Sequence, residues 1–319
     1  MKVNQMVKFS VIFLHESQNE DFLRFLETVD NIFASRQATY EIIIIANGTG
    51  TYLKKMFESS TVSVRNIKAF EISNKASQAI CLKSIFNETR GEYMFVCGSF
   101  QQITRQSFIH ILDAVTDETD IISPWRQNRH DPPLYKVQSN IFNTLVRWIT
   151  GVKLHDLSCN VRVFRRDVLD KTELYGNMYR FLPVYASRKG FQCKEVKCEH
   201  YKEHGEPRQG KAGFYFLSVY LSRIIDIFTL YFNTSFSKKP LRFFISIGLF
   251  FTITGLTLMS YIFMQKFVYG YSIGNHSFLL LSIFFMVIGV QLSGAGLLGE
   301  IIVFTHGRKK KEFVIEKVI

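Results

Sequence analysis

Short blocks rich in β-branched residues alternate with stretches of helical period through the first 125 or so positions. Phe9 to Leu14 (FSVIFL) is a brief apolar run, and a helical pattern follows from Glu20 to Phe33. Tyr40 to Ala46 (YEIIIIA) is almost wholly apolar and stops at Asn47-Gly48, which reads as a buried parallel strand closed by a turn. Val64 to Ile72 predicts a further strand, Ser77 to Thr89 a helix, and Tyr93 to Cys97 (YMFVC) a strand. Gln106 to Val115 predicts a helix, and Asp120 to Ser123 begins another strand. Alternation of this kind predicts βαβ units in a doubly wound sheet. Ligands of such sheets lie outside the carboxyl ends of the strands. The positions to inspect are therefore 46–50 and 98–102.

The last third changes character. Phe243 to Gln265 contains no Asp, Glu, Lys or Arg, and neither does Phe267 to Gly299; the densest apolar run there lies between Ser277 and Phe304. Each is long enough to cross about 30 Å of hydrocarbon. Lys238, Lys239 and Arg242 precede the first, Arg308 to Lys311 follow the second, and the connecting loop carries only Lys266. By the positive-inside rule both basic flanks, and with them the first 240 residues, are expected in the cytoplasm.

Composition adds three points. With 47% apolar residues and 6 Pro in 319, the chain is not of a disordered class. Its net charge of +12 is partly explained by the flanks of the two spans. Basic residues also gather with Tyr201, Phe214, Tyr215, Phe216 and Tyr220 between Arg188 and Arg223, which suits a segment lying on anionic headgroups. The stretch from Phe214 to Phe236 predicts a pair of amphipathic interfacial helices. No nucleic-acid motif accompanies the charge, so nucleic acid is not expected as a partner. The five Cys form no CxxC and read as reduced thiols, while His200, His204 and His276 lack metal-ligand spacing. The N-terminal residues hold no apolar signal core, so no cleaved leader is expected.

The middle of the chain carries a more specific pattern: SPWRQNRHDPPLYKVQSNIFNTLVRWITGVKLHDLSCNVRVFRRDVL, then LYGNMYRFLPVYASRKGF, then EVKCEH, with RIIDIFTLYF…KKPLRFF leading into the two spans. In this it resembles family 2 glycosyltransferases of the polyprenyl-phosphate (dolichol-phosphate mannosyltransferase-like) type, over nearly its whole length. The resemblance implies a GT-A-like, doubly wound, mostly parallel α/β domain over 1–212. Juxtamembrane interfacial helices over 213–240, a two-helix transmembrane domain over 241–306 and a basic cytoplasmic tail over 307–319 complete the expected organisation. It also implies a bacterial-type inner membrane location and transfer of a sugar from a nucleotide to polyprenyl phosphate.

The departures from that family pattern matter more. Where such enzymes carry adjacent acids after the second strand, this chain has Ala46-Asn47-Gly48-Thr49. Where they carry the D-x-D that holds a divalent metal, it has Gly98-Ser99-Phe100, with Gln102 kept. The first strand leads into Phe13-Leu14-His15-Glu16 in place of the usual P-x-Y/N-E-like turn. Asn47, Ser99 and Gln102 are thus remnants of a donor site whose metal ligands are absent, and no cofactor is expected. Lys75, Lys83 or Arg105 in place of the cation, or an acid from Glu16 or Asp131, are the ways a transferase could work without it.

The acceptor half keeps more. Arg126, Lys136, Ser139, Arg208 and Lys211 match, or lie close to, the family's acceptor-phosphate positions, a mixture of guanidinium, ammonium and hydroxyl donors that suits a lipid phosphate. His155-Asp156 is the family's HD pair, and Asp156 is the acceptor-side acid, either beside the phosphate or sugar or orienting Arg162 or a loop. The sequence therefore points to a membrane protein that engages polyprenyl phosphate as a non-catalytic accessory. The expected assembly is a homo-oligomer or a hetero-oligomer with an active paralogue. An active, inverting, metal-independent transferase and a ligand-free membrane scaffold are the alternatives.

Overall fold

The computed structural model describes residues 7–17, 19, 21–36, 38–58, 67–127, 133–172, 174, 176–201, 214–232, 240–270 and 277–307. The chain divides into two compact units, 1–227 and 228–319.

The first unit is built on a seven-stranded sheet: β1 (Phe9–His15), β2 (Tyr40–Asn47), β3 (Ile67–Ile72), β4 (Tyr93–Cys97), β5 (Ile121–Gln127), β6 (Arg162–Arg165) and β7 (Cys193–Glu199). Its order is β3-β2-β1-β4-β6-β5-β7. β1 runs parallel to β2 and β4, β2 to β3, and β5 to β7, while β6 is antiparallel to both neighbours. Helices α1 (Phe22–Ser35), α2 (Gly50–Glu58), α3 (Gln78–Ser84) and α4 (Arg105–Asp113) connect the first five strands. α5 (Pro133–Thr150), α6 (Arg166–Lys171), α7 (Leu182–Arg188) and α8 (Phe214–Tyr231) follow.

β1 is buried at every residue and β2 at all but Tyr40, because a parallel strand covered on both faces has no wet side. Phe13, Phe22, Phe25, Phe33, Phe95 and Phe108 interlock over this part of the sheet in edge-on and stacked pairs. Gly91, just before β4, has no substitute: a Cβ there would lie 2.3 Å from the Ser10 backbone nitrogen. Gly48 ends β2 at φ +71°, a left-handed conformation that lets the chain turn sharply after Asn47. Strand order reverses between β1 and β4, so the crevice of this α/β sheet opens at their carboxyl ends.

The pattern-based boundaries hold with shifts. β5, which the 120–123 run begins, continues to Gln127, and the helix expected over 77–89 ends at Ser84, followed by a short 3₁₀ turn over Phe86–Glu88. Of the interfacial helix pair expected between 214 and 236, one helix spans Phe214–Tyr231, and 233–236 lie outside the described residues.

The second unit is an antiparallel pair, α9 (Pro240–Tyr269) and α10 (Ser277–Gly307). Both are long and apolar enough to cross a membrane, and only 11% of each apolar window is buried, so neither is the core helix of a soluble domain. Their seam is lined by small residues. A Cβ on Gly248 would lie 2.6 Å from the Ser293 hydroxyl, and one on Gly289 would lie 2.6 Å from the Gly248 carbonyl oxygen. The hydroxyls of Thr252, Ser282 and Ser293 donate to carbonyls of their own helices, which leaves no unsatisfied donor among them in hydrocarbon.

Candidate functional site

At the carboxyl ends of β1, β2 and β4 the side chains are tied to one another. The amide of Asn47, the last residue of β2, donates to the Ala76 carbonyl at 2.8 Å, while its oxygen accepts from the Ala76 N–H at 2.7 Å. It also donates to Glu16 Oε1 at 3.3 Å, and Gln78 donates to Glu16 Oε2 at 3.2 Å. The Ser99 hydroxyl donates to the Leu14 carbonyl and accepts from the Glu16 N–H, at 3.1 and 2.8 Å. Gln102 Oε1 accepts from the Asn160 N–H at 2.8 Å. All three donor-site remnants, Asn47, Ser99 and Gln102, are buried. Gly98 lies under Asn160, whose amide nitrogen would be 3.1 Å from any added Cβ, and Phe100 is half-buried.

His15 closes the same edge. The Thr49 hydroxyl donates its one proton to the His15 carbonyl at 2.9 Å and so accepts from Nδ1–H at 2.6 Å, which assigns the tautomer. The ring lies against Phe22 and stacks on Tyr52. Burial lowers its pKa to about 4, so it is neutral at pH 7.

A divalent cation on a nucleotide diphosphate is held by one or two carboxylates with substrate oxygens. Both oxygens of Glu16 are already engaged by amides, and Ser99 is bonded in both directions. Among the described residues no three His, Cys, Asp or Glu converge on a metal-sized space. Of the substitute charges, Lys75 and Lys83 are exposed, and exposed Arg105 borders a cavity of about 390 Å³ with Arg24, Phe25, Gln101 and Tyr201. Asp131 lies outside the described residues. Burial raises the thiols of Cys81, Cys97, Cys159, Cys193 and Cys198, so none is a ready thiolate nucleophile.

A second cluster lies where β5 meets α5 and the loop after it. Arg126 points Nε and Nη2 at the two oxygens of Asp156, at 2.7 and 3.3 Å, and both side chains are buried. Asp156 Oδ1 also accepts the Ser158 N–H at 2.9 Å, and the Ser158 hydroxyl stands 3.5 Å from that of Ser139 on α5. Asn143, one turn on, donates to the His155 carbonyl at 2.7 Å and fixes the loop from α5. The His155 ring stacks on Trp125 at 3.9 Å and meets Glu195 through Nδ1 at 2.7 Å.

Three sequence-nominated residues are thus together: Arg126, Ser139 and Asp156. Lys136 stands on α5, but its side chain, with Arg208 and Lys211, lies outside the described residues. Of the alternatives for Asp156, Arg162 is not its hydrogen-bond partner: its oxygens accept from Arg126 and from the Ser158 N–H of its own loop. Arg162, wholly buried, instead donates to the carbonyls of Tyr179 and Leu157 at 2.6 and 2.9 Å, and burial lowers its pKa. The sequence reading missed Glu195 and Trp125. They lie 40 and 30 positions from His155, and only the pairing of β5 with β7 brings them beside it.

No family model matches the chain. It is 26% identical over 295 residues to dodecaprenyl-phosphate galacturonate synthase of Rhizobium johnstonii, covering 89% of this chain and 84% of that one. It is 22% identical over 316 residues to undecaprenyl-phosphate 4-deoxy-4-formamido-L-arabinose transferase of Proteus mirabilis, covering 98% and 94%. Among solved structures, glucosyl-3-phosphoglycerate synthase of Mycobacterium tuberculosis superposes with a TM-score of 0.49 at 12% identity, over 71% of this chain and 79% of that one. The protein is a mostly parallel α/β domain followed by two membrane-type helices. Within that class its sequence is similar, over most of its length, to curated glycosyltransferases of the polyprenyl-phosphate type.

Proposed function

We propose that this protein engages the phosphate of a polyprenyl lipid at the inner membrane and serves an envelope glycan or glycolipid pathway as an accessory that does not itself transfer sugar. Its first unit and both termini face the cytoplasm, where the basic flanks of the spans belong. Arg126 and Ser139, with Lys136, Arg208 and Lys211, supply charged and hydroxyl donors to the lipid phosphate, and Asp156 holds the Arg126 guanidinium in one orientation. It assembles as a homo-oligomer or as a hetero-oligomer with an active paralogue, and in the second the paralogue supplies the missing donor function.

The observation that carries this reading is the edge of β1, β2 and β4. Neutral Asn47 and Ser99 stand where the family has acids, and each is bonded to the protein's own backbone. Without anionic ligands a pyrophosphate leaving group keeps its charge unneutralised, and metal stabilisation of that charge is worth several kcal/mol.

A second reading is favoured by the relatives, which are named as a synthase and transferases and match over most of their length. In it the chain is an active transferase that neutralises the diphosphate without a metal. The full-length protein in nanodiscs, given radiolabelled nucleotide sugars and undecaprenyl phosphate, separates the two. The accessory reading expects no transfer with or without chelator, and tighter binding of undecaprenyl phosphate than of uncharged undecaprenol. Transfer that survives chelator establishes the second reading; transfer abolished by chelator overturns both. Equal binding of phosphate and alcohol removes the acceptor pocket.

A further inference from the structure

Strand β5 grips one loop from both of its faces. β6 pairs with β5 only at Ile121 and Ile122, so from Ser123 onwards that edge of β5 has no strand beside it among the described residues. Successive residues of a strand point to opposite faces, and Trp125 and Arg126 follow that rule: Trp125 is partly exposed and Arg126 is buried. Two successive residues of the loop after α5 meet them. The His155 ring stacks on Trp125 with centroids 3.9 Å apart, and Asp156 accepts from Nε and Nη2 of Arg126. The loop therefore straddles the free edge, with His155 on the outer face and Asp156 on the inner one.

A single carboxylate holds the outer half. Glu195 Oε1 accepts the His155 backbone N–H at 2.6 Å, and Oε2 meets the ring Nδ1 at 2.7 Å. Glu195 stands opposite Ser123 in the pairing of β5 with β7, on the face that carries Trp125. Lys197 stands opposite Trp125 itself, its ammonium 5.4 Å from the indole ring. The Glu195 side chain is only 12% exposed, so its two contacts are largely out of water. Backbone and ring of His155 are fixed together, and with them the direction in which the chain enters Asp156.

We infer that Glu195, acting through His155 stacked on Trp125, is a positioning residue for the arginine that receives the lipid phosphate. It sets the place of Asp156, and so the plane in which Arg126 offers its guanidinium. The role rests on the reading of Arg126 as a lipid-phosphate donor. A guanidinium recognises phosphate through a rigid planar fork, so the plane decides how many bonds form. Asp156 fixes that plane, but it stands in a stretch without regular structure between α5 and β6, and it holds Arg126 only as firmly as its own loop is held. Outer partners that orient metal ligands change affinity by about 10–100-fold, and the lower end of that range is expected of this clamp. The sign of the effect separates geometry from charge. Taking a carboxylate away from the neighbourhood of an anion site strengthens anion binding by Coulomb's law, whereas loosening the clamp weakens it.

The test measures binding of undecaprenyl phosphate and of undecaprenol by the full-length protein in nanodiscs, and reads the ratio of the two affinities. A general loss of fold lowers both; a misplaced guanidinium lowers only the first. Glu195→Ala is expected to reduce the preference for phosphate about tenfold with undecaprenol binding unchanged. Glu195→Gln keeps an oxygen for the backbone N–H and an amide for the other tautomer of His155, so it restores the preference to within about twofold. Added to Asp156→Asn, Glu195→Ala is expected to cost nothing further, because it acts through that residue. An unchanged or raised preference in Glu195→Ala refutes the role, as does an effect that adds in full to that of Asp156→Asn. If the natural protein itself binds both lipids equally, the acceptor reading falls and the role falls with it. A natural preference that Glu195→Ala leaves intact removes the role alone. Should Glu195→Ala fail to fold, His155→Ala removes the stack and the Nδ1 contact from the loop's side, with the same loss expected and the same outcomes deciding.

Discussion

Two polar regions of the first unit solve the problem of burial in opposite ways. At the carboxyl edge of β1, β2 and β4, Asn47, Ser99 and Gln78 are neutral and complement backbone groups and one carboxylate. Around β5 and α5, a full positive and a full negative charge are buried against each other as Arg126 and Asp156. Neutral amides bonded to backbone stabilise a fold at modest risk. A buried ion pair gains little net stability, because desolvation of both ions offsets their attraction. The first region therefore reads as a structural seam. The second keeps two full charges in one buried pair.

The largest expected effect tests the charged region. Asp156→Asn leaves the Arg126 guanidinium buried without a counter-charge, and breaking such a pair costs about 3–5 kcal/mol. Denaturant unfolding of the detergent-solubilised protein reads this as a lowered midpoint. Arg126→Met combined with Asp156→Leu removes both charges and recovers most of the loss, since the two changes are coupled through one contact. A loss below about 1 kcal/mol for Asp156→Asn, the range of an exposed pair, erases the contrast between the two regions.

The neutral edge is tested next, by acid. The pKa of His15 is lowered by burial to about 4, below its ordinary 6.5. The unfolded chain therefore takes up a proton first as pH falls. The contribution of neutral His15 is fully present above pH 6.5, declines as pH drops towards 4, and levels off below that. A shift of this size corresponds to at most about 3 kcal/mol. Stability measured between pH 7 and 4 should fall more steeply for the natural protein than for His15→Gln. Parallel curves would mean that the ring is hydrated and the edge open.

The contrast was only half legible in the sequence. The YEIIIIA run announced a strand buried on both faces, and the uncharged stretches announced α9 and α10, because in both cases local composition decides the environment. The loss of acids at Asn47 and Ser99 was visible too. What replaced them was not: Ala76 and Glu16 reach Asn47 from two other loops, Gln78 of α3 bonds the same Glu16, and no local pattern encodes a contact made across strand ends. The same holds for Arg126. Its partner Asp156 is 30 positions away and competes, on sequence grounds, with Arg162 only four residues from it.

The smallest effect bears most directly on how closed the edge is. In Asn47→Ala the Ala76 N–H and C=O lose their side-chain partner together, and Glu16 loses one of its two amide donors. A buried backbone group left without a partner costs about 1–3 kcal/mol, so the variant should unfold at lower denaturant than the natural protein. Because Ala76 leads directly into α3, its hydrogen exchange should also quicken between Ala76 and Ser84 relative to the sheet. A variant with unchanged stability and unchanged exchange would mean that water already reaches these groups. The edge would then be a solvated cleft with room for a nucleotide, and neutrality at Asn47 and Ser99 would be a change of donor chemistry within an open site.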